Sequence, residues 1–405
     1  MGRKTAWHGA EEEEQGIDGN AAHRVLHGDV LDAVVARISS LDLLPASCVS
    51  KQWRAAALAA ARRSPRRGAP WLVLRVHGGR KPVAHAFNPI SRNWRSVALP
   101  SGGPFAGHDG SAVHVSNFPC SAGGGAGIYA LSSTRMALAA DLFGTTWREL
   151  EPLRSWRTDP VVALVGRRLV VAGGASELLE DDPASVEVWE GGNCGWAASD
   201  PMPAAFRWST AISAAASERR LYAVEKQPPF SASWFDPEAK RWGPTRRLQI
   251  PDPTVRHVSV AFACGRLLLA TVGGGGGGGG GRLDWRPQTV RLWEVDQETL
   301  EVEAEQAAEM PPEMVAALTD EGGWGMRSLG FLSAERFAYL YNPLFMKFFF
   351  LCELGEGGDS RWEAVPRPPS ADDRPMHSVV FSCSQISESP PTTFSNLHLP
   401  ILKNI

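Results

Sequence analysis

A repeated sequence unit, which begins near Trp71 and recurs about every 50 residues, constrains the fold of this chain more than any other feature. Each copy opens with a short aliphatic run, often started by a basic residue, and continues with a second aliphatic or aromatic run. The opening runs are Trp71–Gly79, Gly127–Ser132, Arg168–Gly174, Arg220–Glu225, Arg266–Gly274 and Arg336–Tyr341. Such runs predict small β-sheets, and because one small sheet cannot cover both of its faces, the copies must stack on one another.

A tryptophan follows the second run in five of the six copies, at Trp94, Trp147, Trp196, Trp242 and Trp362. The fifth copy has Leu300-Glu301-Val302 instead, and the glycine doublets are Gly78-Gly79, Gly173-Gly174 and Gly273-Gly274. A glycine doublet with a downstream tryptophan at this period resembles a degenerate kelch repeat. The resemblance implies four-stranded blades in a six-bladed kelch β-propeller over residues 71–384, with most tryptophans in the core.

The first copy has room for only three strands before Pro100, whereas an apolar run, His377–Cys383, remains near the carboxyl end. We therefore predict that this last run pairs into the first blade and closes the ring, which removes exposed sheet edges. Phe337–Leu354 is predicted to form a hairpin of two buried strands. The glycine run Gly273–Gly281 lacks a following Gly-Lys-Ser/Thr, so it is interpreted as a hairpin loop rather than a phosphate-binding loop.

The segment Val25–Arg54 carries apolar residues at helical spacing, with Asp29 and Asp42 as possible helix caps. It resembles an F-box, although His27-Gly28 stands where that family usually has proline. The resemblance implies docking on a Skp-type adaptor subunit through Leu26, Asp29, Leu31, Ile38, Leu43, Leu44, Val49, Ser50, Lys51 and Trp53. The alternative is a small amphipathic helical hairpin that packs on its own domain.

Composition sets the remaining bounds. With 405 residues and a net charge of −3, the chain can bury a large core and has no overall nucleic-acid signature. The six cysteines are dispersed and unaccompanied by histidines at metal-ligand spacing, so we expect a reducing cytoplasmic or nuclear location, no metal and no cofactor. We expect neither a secretory signal nor a membrane span. The expected organisation is a disordered acidic lead (1–23), an F-box (24–62), a linker (63–70), the propeller (71–384) and a loose tail (385–405).

A basic or imidazole residue precedes the first strand of successive blades, which would place one ring of donors around the mouth of a central channel. The predicted substrate-binding residues are Arg157, Arg207, Arg256, His257 and Arg327, with the aromatic neighbours Trp156, Trp208 and Trp324. Arginines at such positions could instead bond the strand ends of their own blade.

An F-box followed by kelch repeats resembles plant F-box/kelch-repeat proteins. The resemblance implies a mainly β substrate receptor of a Skp–Cullin–F-box ubiquitin ligase, which binds the adaptor and cullin core and presents a protein for degradation. It suggests a phenylpropanoid or flavonoid enzyme such as chalcone synthase as the target. The alternatives are a non-degradative kelch scaffold and, more remotely, a propeller enzyme, for which no catalytic motif is present.

Overall fold

The structure, a computed structural model, divides the chain after Arg63 into two compact parts. It describes residues 28–37, 46, 49–63, 70–76, 83–99, 105, 113–121, 125–132, 135–139, 147–155, 157–174, 183–190, 195–207, 209, 211–274, 287–318, 329–343, 345–355, 359–368 and 379–384. The predicted acidic lead, the tail and the tip of the glycine run lie outside these residues. No helix of the described residues is long and apolar enough to cross a membrane.

The amino-terminal part contains helices α1 (Gly28–Val35) and α2 (Lys51–Arg63). Leu31 and Val35 of α1 are buried and pack against Ala56 and Ala57 of α2. Apolar residues four apart lie on one helix face, so these two residues of the predicted stripe form this small core, whereas Val30 of the same stripe is exposed. Asp29 lies within the first turn of α1 and not ahead of it, which corrects its interpretation as the cap. Its carboxylate still lies where the helix dipole favours a negative charge.

The segment that begins at Asp42, where the second helix is predicted to start, lies mostly outside the described residues, and the second described helix is α2. It starts after Ser50, whose Oγ accepts a hydrogen bond from the Trp53 N–H at 3.2 Å, and it includes both Arg62 and Arg63. A serine that accepts from the third helical amide is a typical N-cap. The alanine-rich run between Arg54 and Arg62 extends the helix because alanine has the highest helix propensity.

The carboxyl-terminal part is mainly β, as the repeats predict, and its strands form antiparallel meanders of consecutive strands. Meander 1 contains β1 (Trp71–Val76), β2 (Val83–Asn88) and β3 (Asn93–Ala98). Meander 2 contains β4 (His114–Cys120), β5 (Gly125–Leu131), β6 (Met136–Ala139) and β7 (Trp147–Leu150). Meander 3 contains β8 (Val161–Val165), β9 (Arg168–Ala172), β10 (Val186–Trp189) and β11 (Trp196–Ser199).

A 3-10 turn at Ala204–Phe206 leads into the next strands. Meander 4 contains β12 (Ile212–Ala216), β13 (Leu221–Glu225), β14 (Ser231–Asp236), β15 (Arg241–Trp242) and β16 (Arg246–Arg247). Meander 5 contains β17 (Val255–Ala263), β18 (Arg266–Gly273), β19 (Thr289–Val295) and β20 (Val302–Glu309), followed by helix α3 (Pro312–Ala317). Meander 6 contains β21 (Gly330–Ala334), β22 (Phe337–Asn342), β23 (Phe345–Leu354) and β24 (Ser360–Pro366).

The last strand, β25 (Val379–Ser384), returns to the beginning of this part and pairs antiparallel with β1, from Trp71 opposite Ser384 to Val76 opposite Val379. This confirms the predicted pairing of the final apolar run. The predicted hairpin in Phe337–Leu354 is also confirmed, because β22 and β23 pair antiparallel. Likewise β18 pairs with β19, so the glycine run connects two neighbouring antiparallel strands.

Successive meanders share their hydrophobic cores. One cluster joins meanders 2 and 3, others join 3 with 4, 4 with 5 and 5 with 6, and a further cluster joins meander 6 to meander 1. Ile128 and Ala139 of meander 2 pack on Val380 of β25. Because β25 pairs with β1, this contact joins meander 2 to meander 1. We count β25 as the first strand of meander 1 because it pairs with β1. The first strands then follow the same cyclic order: β4 lies against β8, β8 against β12, β12 against β17, β17 against β21, β21 against β25, and β25 against β4.

Tryptophan side chains contribute to these junctions. Trp189 and Trp196 are buried, and the Trp196 Nε1 donates to the carbonyl oxygen of Glu151 at 2.8 Å, which joins meander 3 to meander 2. The Trp94 Nε1 donates to the carbonyl oxygen of Pro366 at 2.9 Å and so ties β3 to the end of β24. Their large buried area and single donor suit tryptophans to such positions.

Candidate functional site

The helical part presents apolar side chains to solvent close to its small core. Val30 is 60% exposed and Val49 is 65% exposed, although both are large aliphatic residues. Ser50 and Lys51 are also exposed, whereas Leu31 is buried and Trp53 is half-buried. Leu26, Ile38, Leu43 and Leu44, the other predicted adaptor-binding residues, lie outside the described residues.

Arg157 of the predicted substrate-binding ring is buried, and its guanidinium is occupied within meander 3. It donates to the carbonyl oxygens of Gly173 and Ser185 at 2.9 and 2.6 Å, and its Nη2 lies 2.8 Å from Glu187 Oε1. The Glu187 carboxylate also accepts the Arg154 N–H at 2.9 Å. Arg157 therefore bonds strand connections of its own meander, which corrects its assignment to the binding face.

This arrangement also explains one glycine doublet. Gly173 and Gly174 have φ angles of +66° and +95°, which L side chains rarely adopt. A Cβ on Gly174 would lie 2.9 Å from the Thr158 carbonyl oxygen and 3.2 Å from the Arg157 Cβ. The doublet thus lets the chain turn closely around the loop that carries Arg157.

The other predicted ring residues have different surroundings. Arg207 is exposed and follows the 3-10 turn, and Arg256 is exposed with its Nη1 donating to the Val255 carbonyl oxygen at 3.3 Å. His257 is half-buried. Arg327, Trp156, Trp208 and Trp324 lie outside the described residues. Of the predicted ring residues that the structure describes, Arg207 lies on the wall of a cavity, whereas Arg256 and His257 do not line it.

That cavity has a volume of about 480 Å³ and lies among the first strands of the meanders. Residues of β4, β8, β12, β17 and β21 line it, together with residues of the connections that precede β8 and β12. Its wall is rich in hydroxyl and other polar groups, namely Ser116, Asn117, Tyr129, Thr158, Asp159, Arg207, Ser209, Ser213, Lys226, Ser259 and Ser333.

Many of the polar wall groups join one meander to the next. Ser213 Oγ and Ser259 Oγ lie 2.9 Å apart between β12 and β17, and the Val260 N–H donates to Ser213 Oγ at 2.9 Å. Ser333 Oγ donates to the Phe262 carbonyl oxygen at 3.0 Å, between β21 and β17. Such bonds satisfy polar groups that would be costly to bury unpaired.

Three ionisable residues that sequence reasoning missed lie at or near strand ends: His114 opens β4, Asp159 precedes β8 and Lys226 follows β13. His114 Nε2 lies 3.4 Å from Asp159 Oδ1, and Lys226 lines the cavity near Asp159. The hydrogen bond from His114 lowers the pKa of Asp159, and the positive charge of Lys226 adds to this effect. Lys226 was missed because it follows β13 and does not precede a first strand, and Asp159 because it is a single acid in a connection.

Two nucleophile candidates on the wall, Cys120 and Tyr129, are poorly suited to covalent chemistry. Burial raises the pKa of the Cys120 thiol to about 12, so the reactive thiolate is not populated near neutral pH. Burial likewise raises the pKa of Tyr129, whose hydroxyl donates to the Pro160 carbonyl oxygen at 3.4 Å. Among the described residues, no group of three or more His, Cys, Asp or Glu side chains could hold a metal ion.

Comparison with known proteins supports the resemblance suggested by the repeats. No family model matches the chain. An F-box/kelch-repeat protein of Arabidopsis thaliana is 27% identical over 410 residues, which cover 97% of this chain and 94% of that protein. The similarity extends over both parts of the chain and confirms the resemblance to plant F-box/kelch-repeat proteins.

Proposed function

We propose that this protein is the substrate receptor of a Skp–Cullin–F-box ubiquitin ligase. Its helical part docks on a Skp-type adaptor, and its β part captures a protein for ubiquitination and proteasomal degradation. The observation that carries this proposal is the similarity to an F-box/kelch-repeat protein along nearly the whole chain, combined with exposed valines on the helical part.

The adaptor-docking role rests on apolar surface that the helical part leaves in water. Burying one valine side chain stabilises by about 1.5–3 kcal/mol, so Val30 and Val49 together offer a substantial driving force for association. Lys51 and Asp29 supply charged groups beside them, as in a polar rim around an apolar centre.

For the β part we propose a six-bladed kelch propeller in which each meander is one blade. The cyclic order of contacts among the first strands and the pairing of β25 with β1 support this arrangement. A closed ring protects sheet edges and brings the first strands together around one axis, where the cavity provides a binding surface.

In this role the receptor positions its substrate and performs no covalent step itself. A substrate held beside a ubiquitin-charged enzyme experiences a raised effective concentration, which accelerates transfer without contact between the receptor and the reacting atoms. The raised pKa of Cys120 agrees with such a role. As the target we propose a phenylpropanoid or flavonoid enzyme such as chalcone synthase, on the basis of the family resemblance alone.

Docking is tested by co-purification with a Skp-type adaptor. Replacement of both Val30 and Val49 by Asp should reduce adaptor capture by at least about tenfold, because two carboxylates would be desolvated at the interface. The matched control is Ile90→Asp, which places the same charge on an aliphatic residue of the β part that is 67% exposed.

The control variant should capture the adaptor as the unmodified protein does. Equal capture by all three proteins, or none by the unmodified protein, would contradict the docking role. In the latter case the β part would have to act as a scaffold that assembles partners without degradation.

A further inference from the structure

Lys226 contributes a cationic side chain to the cavity wall. Its backbone is held on both sides, because the Lys226 N–H donates to the Ala211 carbonyl oxygen at 2.8 Å and its carbonyl oxygen accepts the Val258 N–H at 2.9 Å. Lys226 is thereby tied to the residue before β12 and to β17. These bonds fix the backbone position from which the Lys226 side chain extends, and the side chain lines the cavity.

Within the described part of the chain, the Lys226 ammonium makes neither a hydrogen bond nor an ion pair. The neighbouring hydroxyls of Ser213 and Ser259 bond each other. The negative charge of Asp159 acts on Lys226 electrostatically. The Asp159 carboxylate itself lies 3.4 Å from His114 Nε2. Partial burial lowers the pKa of Lys226 because its charged form loses water, and Asp159 offsets only part of this effect. A partly desolvated cation of this kind favours an anionic ligand.

We propose that Lys226 is the anchor for a single carboxylate, the side chain of an Asp or Glu on the captured protein. This inference rests on the proposed substrate-receptor role and assigns a chemical class to what the cavity accepts. Arg207, on the same wall, adds positive charge at the edge of the cavity.

A carboxylate fits the local charge better than a phosphate does. A phosphate group carries about −1.5 to −2 charges at neutral pH. Asp159 contributes a negative charge beside one lysine, so a dianion would meet more repulsion than a monoanion. The volume of about 480 Å³ is sufficient for a few side chains of a partner.

The test uses the full chain purified with its adaptor and a phage-displayed library of random peptides as the probe. The unmodified protein should enrich peptides that share an acidic residue at one fixed position. Replacement of that residue by its amide in a selected peptide should weaken binding by about tenfold or more. Lys226→Met should bind the acidic and amide peptides equally.

Two further variants separate charge recognition from folding. Lys347→Met removes an exposed lysine of β23 and should select the same peptides as the unmodified protein. Lys226→Glu should enrich Lys or Arg at the position where the unmodified protein enriches Asp or Glu, an exchange that a purely structural lysine would not cause. Melting temperatures measured in parallel identify any variant that is unfolded.

Enrichment without an acidic position, an acidic preference unchanged by Lys226→Met, or no enrichment at all would overturn the carboxylate anchor. Adaptor capture is measured on the same preparations. If one of these contradicting results is obtained with protein that still binds the adaptor, the carboxylate anchor is wrong while the docking role of the proposed function stands.

Discussion

At the scale of single residues, burial separates basic side chains that are enclosed in the fold from those that face solvent. Arg157 is 3% exposed and pairs with Glu187, which is also 3% exposed, whereas Arg207 and Arg256 are exposed. The repeated position of these residues is visible in the sequence, but its spacing carries no information on burial. Glu187 lies 30 positions from Arg157, and only the packing of meander 3 brings the two together.

Removal of one partner of this buried pair should be strongly destabilising. Arg157→Met leaves the Glu187 carboxylate buried without its counter-ion, and such losses cost about 3–5 kcal/mol. The free energy of unfolding measured in urea should fall by this order. Arg246→Met, at an exposed position of β16, should change it by no more than about 0.5 kcal/mol. Comparable small effects from both substitutions would mean that Arg157 is not a structural residue.

At the scale of elements, the sequence predicts some strands of each meander far better than others. When β25 is counted as the first strand of meander 1, the repeated aliphatic runs coincide with the second strands, such as β9 and β18, and the tryptophans mark the fourth strands. The first strand β12, Ile212-Ser213-Ala214-Ala215-Ala216, carries a weaker signal because it lines the cavity and contains small and polar residues.

Among the elements, the pairing of β25 with β1 is expected to have the largest effect on the melting temperature. A chain that ends after Ser384 retains all of β25, whereas a chain that ends before Met376 loses it. The shorter chain would leave β1 with an unpaired edge and remove Phe381 and Cys383 from the core shared by meanders 6 and 1. We expect the longer truncation variant to keep the melting temperature of the full chain and the shorter one to melt many degrees lower. Equal melting temperatures would show that β25 does not close this part.

At the scale of the whole molecule, the two parts have different architectures and are assigned different tasks. The helical part has a core of a few small and aliphatic residues and exposed valines, whereas the β part has extensive shared cores and a polar cavity. The sequence predicts this division because the helical spacing and the strand repeats differ in period. It does not predict the cavity chemistry, since Lys226, Asp159 and His114 come from connections or strand starts in different meanders.

In the proposed function, capture of a protein by the β part leads to its ubiquitination through the helical part. The most direct measurement is the ubiquitination of captured proteins in plant cells with the proteasome inhibited, compared between the unmodified protein and the Val30→Asp, Val49→Asp double variant. Both proteins should capture the same partners, and ubiquitin conjugates on those partners should be lost with the double variant alone. Partners that carry the same ubiquitin conjugates with both proteins would contradict the receptor role.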